Sequence, residues 1–296
     1  MRRILLTGKS GQVGWELQRT LAPLGEVVAL DVQDVDFASP DAIREKVREI
    51  KPQILVNAAA YTAVDRAESE PDLAMKVNGV APGVLAEEAN RLDALLVHYS
   101  TDYVFDGTKN GPYTETDAPN PLSVYGRSKL AGDQAIQATG VPHYIFRTSW
   151  VYAARGQNFV RTMLRLGREQ TALRIINDQV GAPTWAHFIA EATAQVLGQM
   201  IKNPDLMQDR TGIYNLTAAG AVSWFGFADA IFAEAKARLG MTPPKLIPIT
   251  TAEYPLPARR PANSRLDTSK LTRVFGLTPA PWETVLTSCM RQLGDN

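Results

Sequence analysis

The chain has 296 residues, 45% hydrophobic and 21% charged, enough to bury a sizeable core in one large domain or two moderate ones. Its 31 basic residues balance 31 acidic ones, so no overall field draws it to nucleic acid or to an anionic membrane. A single cysteine, Cys289, excludes an internal disulfide, fits a reducing compartment and is expected as a small buried side chain.

The opening Met1-Arg-Arg-Ile-Leu-Leu-Thr-Gly8 has too short an apolar run for a signal peptide and reads as a strand over 4–7. Val13, Leu17, Leu21 and Leu24 then recur at core spacing and predict a helix over 13–24. A second strand at 27–30 ends at Asp31. Ser39-Pro40 supplies a cap and a first-turn proline for a helix that runs to about Ile50, and Lys51-Pro52 stops it. The third strand, 54–56, leads into Asn57-Ala-Ala-Ala60, and a long helix is predicted over 72–92. A fourth strand at 95–99 has Ser100-Thr101-Asp102 at its carboxyl end. After a loop rich in glycine and proline, Tyr125 to Lys129 begins another helix, and 144–146 makes a fifth strand.

This alternation predicts parallel βαβ units. The expected fold is α/β, a Rossmann-like doubly wound parallel sheet with a smaller C-terminal α/β substrate-binding domain. Residues 1–152 form the dinucleotide-binding part and 153–296 mainly a substrate-binding part, with helices near 159–168, 186–200 and 223–239. The boundary is soft, because later segments are free to return to the first sheet. No predominantly apolar segment reaches the roughly 20 residues that span a bilayer, so the expectation is a cytoplasmic protein with no membrane partner.

The chemistry gathers where strands end. Gly8, Gly11 and Gly14 are spaced for a tight turn, close approach of backbone to a pyrophosphate and snug helix–strand packing. Asp31 is placed to accept from adenosine ribose hydroxyls, which favours NADH, whereas Lys9 is placed to meet a 2′-phosphate, which favours NADPH; the preference stays open. Tyr125 and Lys129 share a helix face. An ordinary phenol, with a pKa of about 10, is a poor catalyst at neutral pH, and a neighbouring ammonium is expected to lower that value. Taken alone, Tyr-x-x-x-Lys is a weak pattern that reads first as a solvated helix turn; beside the glycine turn it points to carbonyl–alcohol redox chemistry. Tyr125 would donate the proton, Lys129 would assist it and bind the nicotinamide ribose, and Thr101 would bond the same substrate oxygen.

Gly8 to Gly14, Asn57-Ala-Ala, Ser100-Thr101-Asp102 and Tyr125-x-x-x-Lys129 together resemble an extended short-chain dehydrogenase/reductase. More closely, Gly8-Lys-Ser-Gly-Gln-Val-Gly-Trp-Glu-Leu, Ser100-Thr-Asp-Tyr-Val-Phe-Asp-Gly, Arg147-Thr-Ser-Trp-Val-Tyr152, Asn177-Asp-Gln-Val-Gly-Ala-Pro-Thr184 and Pro257-Ala-Arg-Arg-Pro261 resemble the dTDP-4-dehydrorhamnose reductases. The resemblance implies reduction of the C4 ketone of a dTDP-linked deoxysugar, with coenzyme contacts at Gly11, Gln12, Val13, Asp31, Asp36, Phe37, Ala60, Tyr61 and Thr62. It places Thr101, Asp102 and Trp150 against the sugar nucleotide, and Asn177 to Thr184, Arg259 and Arg260 near it. A forked arginine suits a diphosphate, and a solvated basic pair is an equal alternative.

In this family magnesium can sit near a dimer contact, held by glutamates. Glu16 matches one of those positions, but His187 stands where a second carboxylate is expected, and a hard cation prefers oxygen. The magnesium site is therefore not expected, and Glu16 reads as an exposed helix acid; the chain is a monomer or homodimer. His98 and His143 read as isolated structural strand residues. Asp102-Tyr103 lacks the Asp-Glu pair of the superfamily's dehydratases. Other readings left open are a neighbouring nucleotide-sugar reductase or epimerase, and a non-catalytic subunit of the kind that regulates methionine adenosyltransferase.

Overall fold

The structure, a computed structural model, describes residues 1–294. The first part runs β1 (Arg3–Thr7), α1 (Gln12–Thr20), β2 (Glu26–Leu30), α2 (Pro40–Ile50), β3 (Ile54–Asn57), α3 (Val64–Ala67), α4 (Pro71–Met75), α5 (Ala81–Arg91), β4 (Leu95–Thr101), α6 (Val124–Ala138) and β5 (His143–Thr148). There follow β6 (Val151–Tyr152), α7 (Phe159–Glu169), β7 (Ala172–Ile176), β8 (Val180–Gly181), β9 (Thr184–Trp185), α8 (Ala186–Lys202) and β10 (Gly212–Asn215). The chain closes with β11 (Val222–Ser223), α9 (Trp224–Leu239), β12 (Lys245–Ile249), β13 (Asn263–Ser264), α10 (Ser269–Phe275) and α11 (Trp282–Gly294).

Six strands form one sheet in the order β10-β5-β4-β3-β1-β2, every neighbouring pair parallel. This is the Rossmann-like sheet that the alternation predicts. Leu17 and Leu21 of α1, Ile189 to Met200 of α8, and Leu271 and Phe275 of α10 pack on one face. Ile43 and Val47 of α2, Val84 to Ala89 of α5 and Ile136 of α6 pack on the other. Every residue of β4 is buried, and its first three, Leu95 to Val97, are apolar, as a strand covered on both faces requires. A separate core unites α7, α9 and α11 beneath β7 around Phe227, Ile231 and Leu286. Cys289 is buried there.

Two local features differ from the pattern-based reading, and a third is one that it left open. The first helix ends at Thr20, and Ala22–Leu24 is a 3-10 turn, because Pro23 has no amide to continue the ladder. The long helix of 72–92 is interrupted by a π turn over Lys76–Val80, in which the Ala81 amide bonds back to Lys76. Pro82 has no donor for the Asn78 carbonyl, and that release accommodates the wider turn. Finally, α8, β10 and α10 return to the first sheet after residue 152. In β10 only Tyr214 and Asn215 are buried, so the segment is too short and mixed to announce itself as a sheet strand.

Candidate active site

The carboxyl ends of β1, β3, β4 and β5 open onto a cleft of about 1010 Å³. Gly8, Gly11, Gln12 and Val13 line its floor. Gly8 has φ +73°, and a Cβ there would lie 2.7 Å from the Ala58 carbonyl carbon. Gly14 is outside the lining and serves packing: its Cβ would come within 1.9 Å of the Gly8 oxygen. The Gly11 N-cap carries no side chain to satisfy the first amides of α1, so that helix end is a backbone receptor for anionic oxygen. A dinucleotide fits this cradle.

Asp31, Asp36, Phe37, Ala60, Tyr61 and Thr62 also line the cleft. Burial works against the Asp31 charge, but amide donors from Ser10 (2.8 Å) and Val32 outweigh it and hold the carboxyl below its ordinary value. Lys9, the candidate 2′-phosphate partner, is paired with Asp34 Oδ2 at 2.6 Å. Tyr61 is fixed through its backbone: its amide donates to Asn78 Oδ1 at 2.8 Å, and Asn78 Nδ2 donates to its carbonyl. The π turn therefore presents Asn78 to the Tyr61 strand end.

Tyr125 and Lys129 both line the cleft from the first turns of α6, which starts at a Ser123 cap accepting from the Gly126 amide. Burial pushes the Tyr125 phenol up to about 12, with its hydrogen bond to Thr101 opposing. The expected lowering of that phenol by Lys129 is therefore not a property of the protein alone. The Lys129 ammonium instead donates to the Tyr99 carbonyl at 2.6 Å and lies 3.1 Å from His98 Nε2. Burial brings it down to about 8, against the attraction of Asp133.

Thr101 and Asp102 are buried just behind Tyr125, with Thr101 Oγ1 donating to Asp102 Oδ1 at 3.2 Å. Burial raises Asp102 to about 7. Trp150 is half-buried with φ +48°, an unusual conformation for a large side chain, and stacks on Trp224 at 3.5 Å and 8°. Gly181 lies so close beneath that ring that a Cβ would meet it at 2.6 Å. Arg260 is not a solvated partner of Arg259: both of its terminal nitrogens donate to Asp65, at 2.9 and 2.7 Å. Arg259 is exposed.

Two site features escaped the pattern-based reading. Arg155 lies 3.4 Å over the Trp15 ring, and both line the cleft beside the glycine turn. Asn158 caps α7 and ties down the Ala153 and Arg155 carbonyls, which fixes that loop. Asn158 followed by apolar periodicity is a legible helix start, but nothing in the sequence sets it against α1. The second is His98, fully buried and bonded on both sides, so it is not isolated.

Glu16 is likewise not the exposed acid expected: it is 1% exposed and bonded to Arg19 and to His187 Nδ1 at 2.9 Å. His187 Nε2 reaches Glu191 at 3.1 Å. The imidazole thus takes the Glu16 carboxylate that a cation would need. His143 is a buried strand residue, its Nδ1 2.8 Å from the Val141 carbonyl.

A glycine-walled helix end, sharing a cleft with a phenol and an amine behind it, is the apparatus of a nicotinamide-dependent oxidoreductase of the short-chain dehydrogenase/reductase class. The model of the family described as RmlD substrate binding domain matches residues 1–294. The dTDP-4-dehydrorhamnose reductase of Burkholderia thailandensis is 50% identical over 294 residues, covering 98% of this chain and 99% of its own. Among solved structures, a dTDP-4-dehydrorhamnose reductase from Clostridium acetobutylicum superposes with a TM-score of 0.89 at 38% identity, over 98% of this chain and 99% of that one. The corresponding reductase from Bacillus anthracis, solved in complex with NADP, gives 0.88 at 34% identity, over 99% of this chain and 100% of that one. The chain belongs to the dTDP-4-dehydrorhamnose reductase family. No helix among the described residues is long and apolar enough to cross a membrane.

Proposed function

We propose that this chain reduces the C4 ketone of dTDP-4-dehydro-L-rhamnose to give dTDP-L-rhamnose, with Tyr125 as proton donor assisted by Lys129 and Thr101. The observation that carries the reading is that Tyr125 and Lys129 line the same cleft as Gly8, Gly11, Gln12 and Val13. The glycine turn, Asp31, Asp36, Phe37 and Ala60 to Thr62 would hold NADH or NADPH, which would supply the hydride for the ketone carbon.

A reduction needs an acid at the forming alkoxide, and a phenol raised to about 12 keeps its proton throughout the neutral range. Thr101, already bonded to Tyr125, orients that proton. The Lys129 ammonium favours the phenolate left after transfer and so lowers the cost of the step. With two of its N–H groups directed at Tyr99 and His98, it keeps a third for the cleft.

The portion after residue 152 mainly binds the sugar nucleotide. Trp150, with Trp224 stacked behind it, offers a rigid apolar wall to the sugar, and Asp102 offers it a buried carboxyl. Arg259 is the free basic side chain for the diphosphate, since Arg260 is committed to Asp65. The pair Asp102-Tyr103 provides no second carboxylate for elimination, which favours reduction over dehydration. The reaction is proposed to run in the cytoplasm. Coenzyme oxidation is followed with dTDP-4-dehydro-L-rhamnose and either NADPH or NADH. Turnover that falls at least about a hundredfold in Tyr125→Phe is expected; no turnover above that variant by the wild type would overturn the reading.

A further inference from the structure

His98 sits on β4 with no exposed surface and with both ring nitrogens engaged. Nε2 is 3.1 Å from Lys129 Nζ, and Nδ1 is 3.0 Å from Asn57 Nδ2, while Asn57 Oδ1 accepts from Thr7 Oγ1 at 2.7 Å. Thr7, Asn57 and His98 are register partners on β1, β3 and β4. Equivalent positions on neighbouring parallel strands face the same side, so the three make a polar row across an otherwise apolar sheet. That row ends on the amine behind Tyr125.

We propose that His98 is a positioning residue for Lys129: held neutral with its proton on Nδ1, it accepts a hydrogen bond from the lysine ammonium through Nε2 and fixes that charge behind Tyr125. The proposal rests on the reading of Tyr125 and Lys129 as the proton-donating pair.

Proton counting leads to this state. An ammonium has donors only, so the imidazole nitrogen facing it must be bare. A neutral imidazole then carries its one proton on Nδ1, and that N–H needs an acceptor. Asn57 supplies it with its side-chain amide turned over, so that Oδ1 accepts from His98 Nδ1 and the NH₂ donates to Thr7 Oγ1; the two amide orientations fill the same space. The reverse wiring, with Asn57 donating to Nδ1, puts an N–H on Nε2 and requires Lys129 to offer a lone pair, which only the uncharged amine has. An imidazolium would set two cations 3.1 Å apart. Burial and the Lys129 charge both oppose it, holding His98 well below its ordinary value.

The remaining charges near Lys129 favour the ammonium. Asp133, one helical turn along α6, attracts it, and Arg147 on β5 faces Asp133 from the other side at 3.5 Å. The Tyr99 carbonyl and His98 Nε2 are thus two fixed acceptors from adjacent residues of one strand. Together they set where the ammonium stands.

The test uses full-length protein labelled with ¹⁵N-histidine and long-range ¹H–¹⁵N correlation at pH 6.5. The chain has three histidines, and His98 is assigned by its loss in His98→Gln. The expected pattern is a protonated Nδ1 and a bare Nε2; a protonated Nε2, alone or with Nδ1, overturns the proposal. In turnover assays His98→Leu is expected to lower kcat about tenfold, with coenzyme KM within about twofold, and to move the alkaline limb of the profile to lower pH. His98→Gln, which can present a carbonyl to Lys129 and an NH₂ to Asn57, is expected to recover most of that loss. Wild-type kcat and an unmoved limb in His98→Leu would also overturn it. Full activity in Tyr125→Phe would instead remove the acid–base reading while leaving the tautomer result standing, so the two failures are distinguishable.

Discussion

Replacing Lys129 by methionine is expected to remove a gain in stability that the wild type shows with rising pH, while abolishing turnover. Lys129 is 2% exposed, and burial brings its amine from 10.5 to about 8. At roughly 1.4 kcal/mol per decade, keeping that amine charged costs the folded state about 3 kcal/mol. Between about pH 8 and 10.5 the folded chain binds fewer protons here than the unfolded chain, so stability rises with pH in that window. Integrated from pH 7 to 9.5, the wild type should gain about 2 kcal/mol relative to Lys129→Met, which has no such group. At pH 7 the two should differ less than that figure suggests, because the variant leaves the Tyr99 carbonyl without the lysine donor, worth about 1–3 kcal/mol, and leaves Asp133 with Arg147 alone. The assay is urea unfolding of both proteins at pH 7, 8, 9 and 9.5, read by far-ultraviolet circular dichroism, with unfolding slopes checked for equality. Parallel stability curves would refute the reasoning, since a lysine that keeps its ordinary proton affinity gives no differential slope.

Other outcomes follow from the same structure. The Glu16–His187 pair should stabilise most between about pH 4.5 and 6.5: the bond from Glu16 raises His187, so its contribution fades as pH climbs through the folded value. Burial alone would raise Glu16, but bonds from His187 and Arg19 hold it below 4.5, so its contribution fades as pH falls; melting of His187→Phe against wild type from pH 4 to 9 checks both limbs. Gly14→Ala should destabilise the fold by about 3 kcal/mol or more, because its methyl would overlap the Gly8 carbonyl; a variant within 1 kcal/mol in urea would contradict that packing. Arg155→Ala should weaken coenzyme binding about tenfold in fluorescence titration with little change in sugar-nucleotide KM, and an unchanged dissociation constant would remove Arg155 from the coenzyme site. Asp34→Asn should release Lys9 and raise the efficiency with NADPH relative to NADH, measured as the ratio of kcat/KM values.

Much of the candidate site was legible because its parts are local. Gly8, Gly11 and Gly14 belong to one turn, Tyr125 and Lys129 to one helix face, and Asp31 to one strand end, so spacing alone relates them. What spacing cannot state is which partner takes a buried proton. The sequence suggests that Lys129 acts directly on the Tyr125 phenol, whereas the folded chain gives the amine to Tyr99 and His98, and Thr101 to the phenol. His98 looked like one more strand residue because its partners lie 41 positions back and 31 ahead. Glu16 looked exposed because its burial depends on α8, which returns from residue 186 onward to cover α1.

The sequence by itself determined the parallel α/β plan and the places of its first five strands along the chain, since hydrophobic periodicity and glycine spacing act within a few residues of chain. Only the tertiary structure decided the sixth strand, the π turn that brings Asn78 to Tyr61, the Trp150–Trp224 stack and the ionisation of the buried groups. Those depend on desolvation and on contacts between distant segments, and neither exists until the sheet and its covering helices have closed.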